Sequence, residues 1–244
     1  MKRLTFIFFF FVLFFISCST SDVPFEHKYV IDIVLKPNMK FQKAFIDSTY
    51  RLDVPVSAYY SGISGAEIFI VNENSDTFRY SESGANMGFY YSDDSFCVEY
   101  GMEYFVNVSV EGENITKEVQ VPDSLTIFSP EFSDTVFLSY PPLLIWNSCD
   151  NSYKNTYMIS THVMGNTEDF IPMLTPDTVM GIFYNEFLFE EVDTMYTVYV
   201  EAMDSNAYTY LLSWSQYDDL NDDGSVIGLV GAVVYDSVVV WVTE

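Results

Sequence analysis

Asp219-Leu220-Asn221-Asp222-Asp223-Gly224 is the segment of this chain that comes nearest to a metal-ligand set. Side-chain oxygens at its first, third and fifth positions (Asp219, Asn221, Asp223) and a glycine at the sixth for the bend are the spacing of a calcium-wrapping loop. Ser225 falls where such a loop offers a backbone carbonyl, and Val226 after it is apolar. The twelfth position holds Val230 where a bidentate glutamate would be the strongest ligand, and no exiting helix is expected. Any calcium held here is therefore expected to be held weakly. An acidic turn leading into a strand is the competing reading, and it needs no metal.

Other reactive side chains are sparse. His27 precedes the first strand-like run and His162 lies inside another, with no second histidine at ligand spacing, which argues against zinc and against a histidine-based triad. Gly62-Ile63-Ser64-Gly65 lacks the frame of a nucleophile elbow and reads more simply as a turn into a strand. Neither G-x-G-x-x-G nor G-x-x-x-x-G-K occurs, so no phosphate cradle is encoded. Acid pairs such as Asp93-Asp94 and Glu190-Glu191 have no diagnostic weight among 35 carboxylates. No catalytic residue is assigned, and a non-enzyme is expected.

Cys18 carries chemistry of another kind. Lys2 and Arg3 precede an apolar run from Leu4 to Ile16, which Ser17-Cys18 closes. That run is short for a membrane-spanning helix, which needs about 20 residues, and has the size and flanks of a secretory signal. It resembles the lipobox of bacterial lipoproteins, in which the cysteine thiol is acylated and becomes the new N-terminus, although Phe15 stands where leucine is usual. Residues 1–17 are then a signal peptide and 18–25 a lipidated tether. Ser19, where aspartate would mark retention in the inner membrane, implies an outer-membrane address on either face. With Cys18 acylated, Cys97 and Cys149 remain; they fall in different modules, so two buried, inert thiols are expected ahead of a disulfide.

Beyond residue 17 the chain has 8 Lys and Arg, since Lys2 and Arg3 leave with the leader, against 35 Asp and Glu, a formal charge of −27. Such a surface repels phosphate backbones, which excludes nucleic acid, and repels anionic head groups, so lipid rather than a basic patch must hold the anchor. The charge serves solubility or attracts cationic partners. With 22 Phe and 19 Tyr alternating with polar residues, the chain buries cores instead of staying disordered. Six Asp-Ser/Thr triplets, starting at Asp47, Asp123, Asp134, Asp177, Asp193 and Asp236, resemble acceptors of an envelope O-glycosylation system; turn formation just before strands is the simpler reading.

The elements that would position these groups are mostly short β runs. Tyr29–Leu35 stops at Lys36-Pro37-Asn38; Tyr50–Val54, Ala66–Val71, Phe78–Tyr80, Gly88–Tyr91, Phe96–Tyr100, Tyr104–Val110 and Ile115–Val121 follow. Val121-Pro122-Asp123-Ser124 marks a boundary, because Pro122 cannot extend a central strand. After it come Thr126–Phe128, Thr135–Leu138, Leu143–Trp146, Thr156–Val163, Gly181–Phe189, Tyr196–Ala202 and Ala232–Val242. β-Branched and aromatic runs every 8 to 12 residues point to an all-β chain of two tandem sandwiches, at 26–122 and 124–244. Residues 206–217 alone have helical spacing, with Asp204 or Ser205 as N-cap and an aromatic stripe expected to face the core.

Gly101-x-x-Tyr104-x-Val106-x-Val108 and Met195-Tyr196-x-Val198-x-Val200 repeat one pattern. Each resembles the F strand of an immunoglobulin or fibronectin-III-like sandwich, whose opening tyrosine bonds back to the preceding corner. Trp146 ahead of Thr156-Tyr157-Met158-Ile159 resembles strand B followed by strand C. Together with the leader, Val56-Ser57, Gly62-x-Ser64-Gly65-Ala66-Glu67-Ile68, Val119-x-Val121-Pro122, Tyr208-x-Tyr210-Leu211 and Gly228-x-x-Gly231-Ala232, the chain is similar to a group of bacterial outer-membrane lipoproteins, domain of unknown function 4249. The resemblance implies location and architecture and brings no catalytic residues.

The expected role is a non-enzymatic envelope lipoprotein presenting binding surfaces, accessory to an outer-membrane transporter or surface complex. The alternative is a carbohydrate-binding surface module, with Tyr59-Tyr60, Tyr90-Tyr91 and Trp214 as candidate rings for sugar faces. Partners are thus the membrane through lipid and a protein or glycan outside it; no cofactor is expected beyond the weak calcium loop.

Overall fold

The computed structural model describes residues 27–50, 62–84, 87–93, 96–164, 172–181, 189, 191–216 and 226–244. Cys18, the Asp219, Asn221, Asp223 and Ser225 loop, Tyr50–Val54 beyond Tyr50, Tyr59-Tyr60 and the side chain of Trp214 lie outside the described residues. Among the described residues the fold is all-β with one short α-helix, as the alternation in the sequence implies.

Among the described residues the first module holds seven strands: β1 (Tyr29–Leu35), β2 (Lys43–Ser48), β3 (Glu67–Asn72), β4 (Thr77–Glu82), β5 (Phe89–Ser92), β6 (Glu103–Val110) and β7 (Glu113–Gln120). Their order is β1-β2-β5-β4-β3-β6-β7. The first, second and fifth strands form one layer, and the fourth, third, sixth and seventh the other, joined where β4 pairs with β5. Period-two alternation fills the space between the layers: β1 turns Tyr29, Ile31, Ile33 and Leu35 inward, and β6 turns Tyr104, Val106, Val108 and Val110 inward. Glu111 and Gly112, both at positive φ (50° and 93°), make the two-residue turn that suits the twist of the β6–β7 hairpin.

The second module repeats this wiring. Its strands are β8 (Ile127–Ser129), β9 (Thr135–Phe137), β10 (Leu143–Trp146), β11 (Tyr157–Val163), β12 (Met173–Thr175), β13 (Val179–Gly181), β14 (Thr194–Met203) and β15 (Val226–Thr243). One layer is β8-β10-β13 and the other β12-β11-β14-β15, with β9 added in parallel to the end of β15. Leaving β9 aside, the first, second and fifth strands again face the fourth, third, sixth and seventh. This is the wiring of an immunoglobulin or fibronectin-III-like sandwich, present twice. As the sequence implied, Trp146 ends the second strand of its module, buried against Tyr157 of the third at 5.6 Å between ring centroids.

Three differences from the expected elements matter. Phe96–Tyr100 is not a strand but the corner before β6, and β2 at Lys43–Ser48 is an added strand, hidden in the sequence because its alternation is brief and split by charge. The last strand also begins at Val226 rather than Ala232, since Gly228 and Gly231 hide a strand from propensity alone. Its first seven residues, Val226 to Ala232, pair in parallel with β1, and Val233 to Val242 pair with β14. One strand therefore belongs to both sandwiches. Gly228, at φ 118°, is required there, because a Cβ would strike the carbonyl of Ile31.

Helix α1 (Ser205–Gln216) joins β14 to β15. Asp204 is its cap: Oδ1 accepts the Ala207 N–H at 2.8 Å. Of the aromatic stripe Tyr210, Trp214 and Tyr217, the side chain of Tyr210 alone is described; it is half-buried, and Ala207 rather than a ring is the buried side chain of the described part. The helix instead seats at the junction, where Asn206 Nδ2 donates to the Glu118 carbonyl of β7 at 2.8 Å.

Candidate functional site

A concave site of about 340 Å³ lies on the outer face of the β1-β2-β5 layer. Strand register builds its floor: Asp32 is opposite Phe45, and Phe45 is opposite Phe89, giving a row across three strands. These residues point outward because their neighbours Ile31, Ile33, Ala44, Ile46 and Tyr90 point inward, and the two faces alternate. Phe45 and Phe89 touch at 4.6 Å between centroids, and Lys43 holds its ammonium 4.3 Å over the Phe89 ring. Val34, Lys36, Met39 and Phe41 complete the wall.

The rim is the β1–β2 loop, fixed by Gln42. Gln42 is 1% exposed, and its side chain and backbone tie the loop to Lys36, Met39 and Ser92. Its Oε1 accepts the Lys36 N–H, its Nε2 donates to the Lys36 carbonyl, both at 2.9 Å, and its backbone exchanges bonds with Ser92. A buried amide satisfied in this way holds Lys36, Met39 and Phe41 in place before any ligand arrives. Asn38, at φ 65°, turns the loop and donates from Nδ2 to the Tyr100 hydroxyl at 2.5 Å. A second hollow, of about 210 Å³, lies behind the loop between Pro37, Asn38, Tyr100 and the stretch of β15 from Val233 to Ser237.

Charge here opposes the rest of the molecule. Lys36, Lys40 and Lys43 are three of the eight cations beyond residue 17, gathered in eight positions of an otherwise acidic chain. Lys40 stands 4.9 Å over the ring of Phe41. Partial desolvation pushes the Asp32 carboxyl up, and Lys43 and Lys36 draw it down. Glu201 on β14 is likewise pushed up by burial and drawn down by Lys36. The site offers ammonium groups, one carboxylate and ring surface together.

The residues that the sequence suggests for other roles fall elsewhere. Tyr90 is buried, donating to the Ile63 carbonyl at 2.7 Å and accepting the Ala66 N–H at 3.0 Å, so it holds the fold and offers no face to a sugar. Its neighbour Tyr91 is exposed. Cys149 is buried, with its thiol 2.8 Å from the Asp123 carbonyl and pushed up to about 12 by burial; Cys97 is exposed, contrary to the expectation of two buried thiols. Both are free. His27 and His162 sit in different modules, each edge-on to a tyrosine. Among the described residues no three His, Cys, Asp or Glu side chains gather to hold a metal. Asp134 accepts the Glu131 N–H at Oδ2 (2.8 Å) in the turn before β9, whereas Asp47-Ser48 closes β2 and Asp236-Ser237 lies inside β15, neither before a strand. Motif and spacing do not point to Lys36, Gln42, Lys43, Phe45 or Phe89; the clustering of cations in an acidic chain is the signal that could have found them.

The tyrosines that open the sixth strands behave alike. Tyr104 accepts the Glu99 N–H at 2.9 Å and Tyr196 accepts the Glu191 N–H at 2.8 Å, each reaching back five residues. Each also packs edge-on, at 79°, against a preceding phenylalanine, Phe96 or Phe189. These are the tyrosine corners the sequence pattern implied.

No family model and no curated protein matches the chain. Among solved structures, the two immunoglobulin domains of DIP-gamma are similar over 90% of this chain and 98% of that one, at 6% identity and a TM-score of 0.22. The four N-terminal immunoglobulin domains of Dscam1 are similar over 72% of this chain and 37% of that one, at 13% identity and 0.22. Salmonella alpha-2-macroglobulin reacted with methylamine is similar over 89% and 15%, at 9% identity and 0.23. The fold assignment rests on the repeated strand wiring and the two tyrosine corners.

Proposed function

We propose that the chain is a non-enzymatic envelope lipoprotein, anchored in the outer membrane through Cys18, that presents binding surfaces on its two sandwiches to a transporter or surface complex. The shared strand carries this reading. A tether at Cys18 leads into β1 at Tyr29, and β15 starts beside Tyr29, runs parallel to β1 and continues into the second module. Eighteen residues at about 3.3 Å each make a rail of roughly 60 Å directed away from the tether. With the chain anchored at Cys18, such a rail supports a reading in which the second module lies distal to the membrane. Among the described residues no helix is long and apolar enough to cross a membrane. A preformed, basic and ring-lined hollow on the first module supplies a surface for recognition.

Two measurements on intact cells test it. An alkyne fatty acid is expected to label the chain and to fail on Cys18→Ser, and a photo-crosslinking amino acid at Met39 is expected to capture a discrete partner. Labelling that survives Cys18→Ser, or an unmodified chain in the soluble fraction, overturns the anchor. Absence of any adduct at Met39 overturns the use of this face.

A further inference from the structure

We propose that the hollow on the β1-β2-β5 face binds a sugar ring bearing an anionic group, a carboxylate or a sulfate. The inference rests on the reading of this face as a recognition surface and adds the chemistry of what it recognises. Three features converge within about 340 Å³, room on the order of one or two pyranose rings.

The first feature is charge. Lys36 and Lys43 line the site and Lys40 flanks it on Phe41, in a chain whose formal charge is −25. Cations gathered at one place on an acidic protein draw a small anion in while the surrounding surface repels a long polyanion such as nucleic acid. Lys43 is also held in position by the Phe89 ring, so little side-chain freedom is lost when its ammonium meets a ligand.

The second is the wall of Val34, Phe41 and Phe45, an apolar surface that suits the C–H face of a pyranose. The third is Asp32, in the same row as Phe45 and Phe89. A carboxylate between two lysines accepts hydrogen bonds from hydroxyl groups, which an ionised fatty acid or inorganic sulfate does not supply. A polyhydroxylated ring with one negative substituent satisfies all three. Gln42 keeps the rim in this arrangement without a ligand.

Calorimetry on the full chain in detergent tests the proposal with trigalacturonate, galactotriose and 6-sulfogalactose. The acidic trisaccharide is expected to bind, more weakly as salt rises, and the neutral one at least about tenfold less tightly. The sulfated sugar separates sulfate from carboxylate recognition: binding by either anionic probe over the neutral one supports the class. Lys43→Glu is expected to lose about tenfold or more, Lys43→Arg to stay within about threefold, and Lys117→Glu, the same charge change on β7, to leave binding unaltered. Lys36→Glu repeats the test should Lys43→Glu fold poorly. Equal affinity for galactotriose, indifference to both lysine reversals, or no heat with either anionic probe at millimolar concentration overturns the inference. Should these probes fail while Met39 still crosslinks a partner in cells, the ligand class falls and the recognition surface stands.

Discussion

Gly231 on β15 leaves room for the carboxylate of Asp204, and nothing larger than a hydrogen fits between them. A Cβ at Gly231 would lie 2.8 Å from Asp204 Oδ1 and 3.0 Å from the Ala207 N–H nitrogen. Those two atoms are themselves bonded at 2.8 Å, so neither is free to retreat. The start of α1 is thereby seated on the strand that both sandwiches share. Gly231→Ala is expected to cost about 1–3 kcal/mol, read as a lowered midpoint in urea, with helix α1 the first segment to exchange its amides.

Asp204 makes that seat pH-dependent. It is 2% exposed, its Oδ2 has no hydrogen-bond partner, and burial pushes its carboxyl up to about 6 from an ordinary 3.8. The folded state therefore holds the proton more tightly than the unfolded chain. Below about pH 4 both states are protonated and the group is neutral to stability. As pH rises to about 6 the folded state must bury a charge, and roughly 3 kcal/mol is lost. Asp204→Asn, which keeps a capping oxygen, is expected to abolish this loss. Unfolding free energies at pH 4 and pH 7 should converge between variant and wild type at the lower value; a constant difference would contradict the assignment.

The two tyrosine corners allow a paired comparison. Tyr104→Phe and Tyr196→Phe each remove the acceptor of one backbone N–H while leaving the ring against its phenylalanine. Each is expected to destabilise by about 1–2 kcal/mol, and the double variant by the sum, because the two corners share no hydrogen-bond partner or ring contact. Thermal or chemical melts decide it.

Thiol chemistry should distinguish the remaining cysteines. In a chain beginning at Ser19, Cys97 is exposed and is expected to react with Ellman's reagent in the native state. Cys149, buried and with its thiol raised to about 12, is expected to react only after denaturation. One equivalent native and two in guanidinium is the result anticipated.

A fragment ending at Asp123 lacks Val226–Ala232 and so leaves the outer edge of β1 without its parallel partner. It is expected to associate with itself or to melt lower than the full chain, since an open strand edge recruits another strand. A monomeric fragment as stable as the whole would show that the shared strand contributes little.

Much of this was legible in the chain itself. Tyr29–Leu35, Tyr104–Val110 and Tyr196–Ala202 announce themselves as strands, because alternation with period two fixes which side chains turn inward before any partner is known. The corner tyrosines follow from the same patterns, and so does a cap at Asp204 or Ser205, being local in sequence; the hydrogen bond to Ala207 selects Asp204. β2 and the first half of β15 were not legible: one is short and bears Lys43 and Asp47, the other contains two glycines.

Residue order alone determined the β class, the repeated F-strand pattern, the position of the helix and the concentration of lysines near Lys36. That β15 lies beside β1, almost 200 residues earlier, and that Asp32, Phe45 and Phe89 meet in a row emerges in three dimensions alone. The reason is physical. A side chain's alternation records the layer it faces, which is a property of its own strand, whereas neighbours across a sheet are chosen by register between distant segments, and no local pattern encodes that choice.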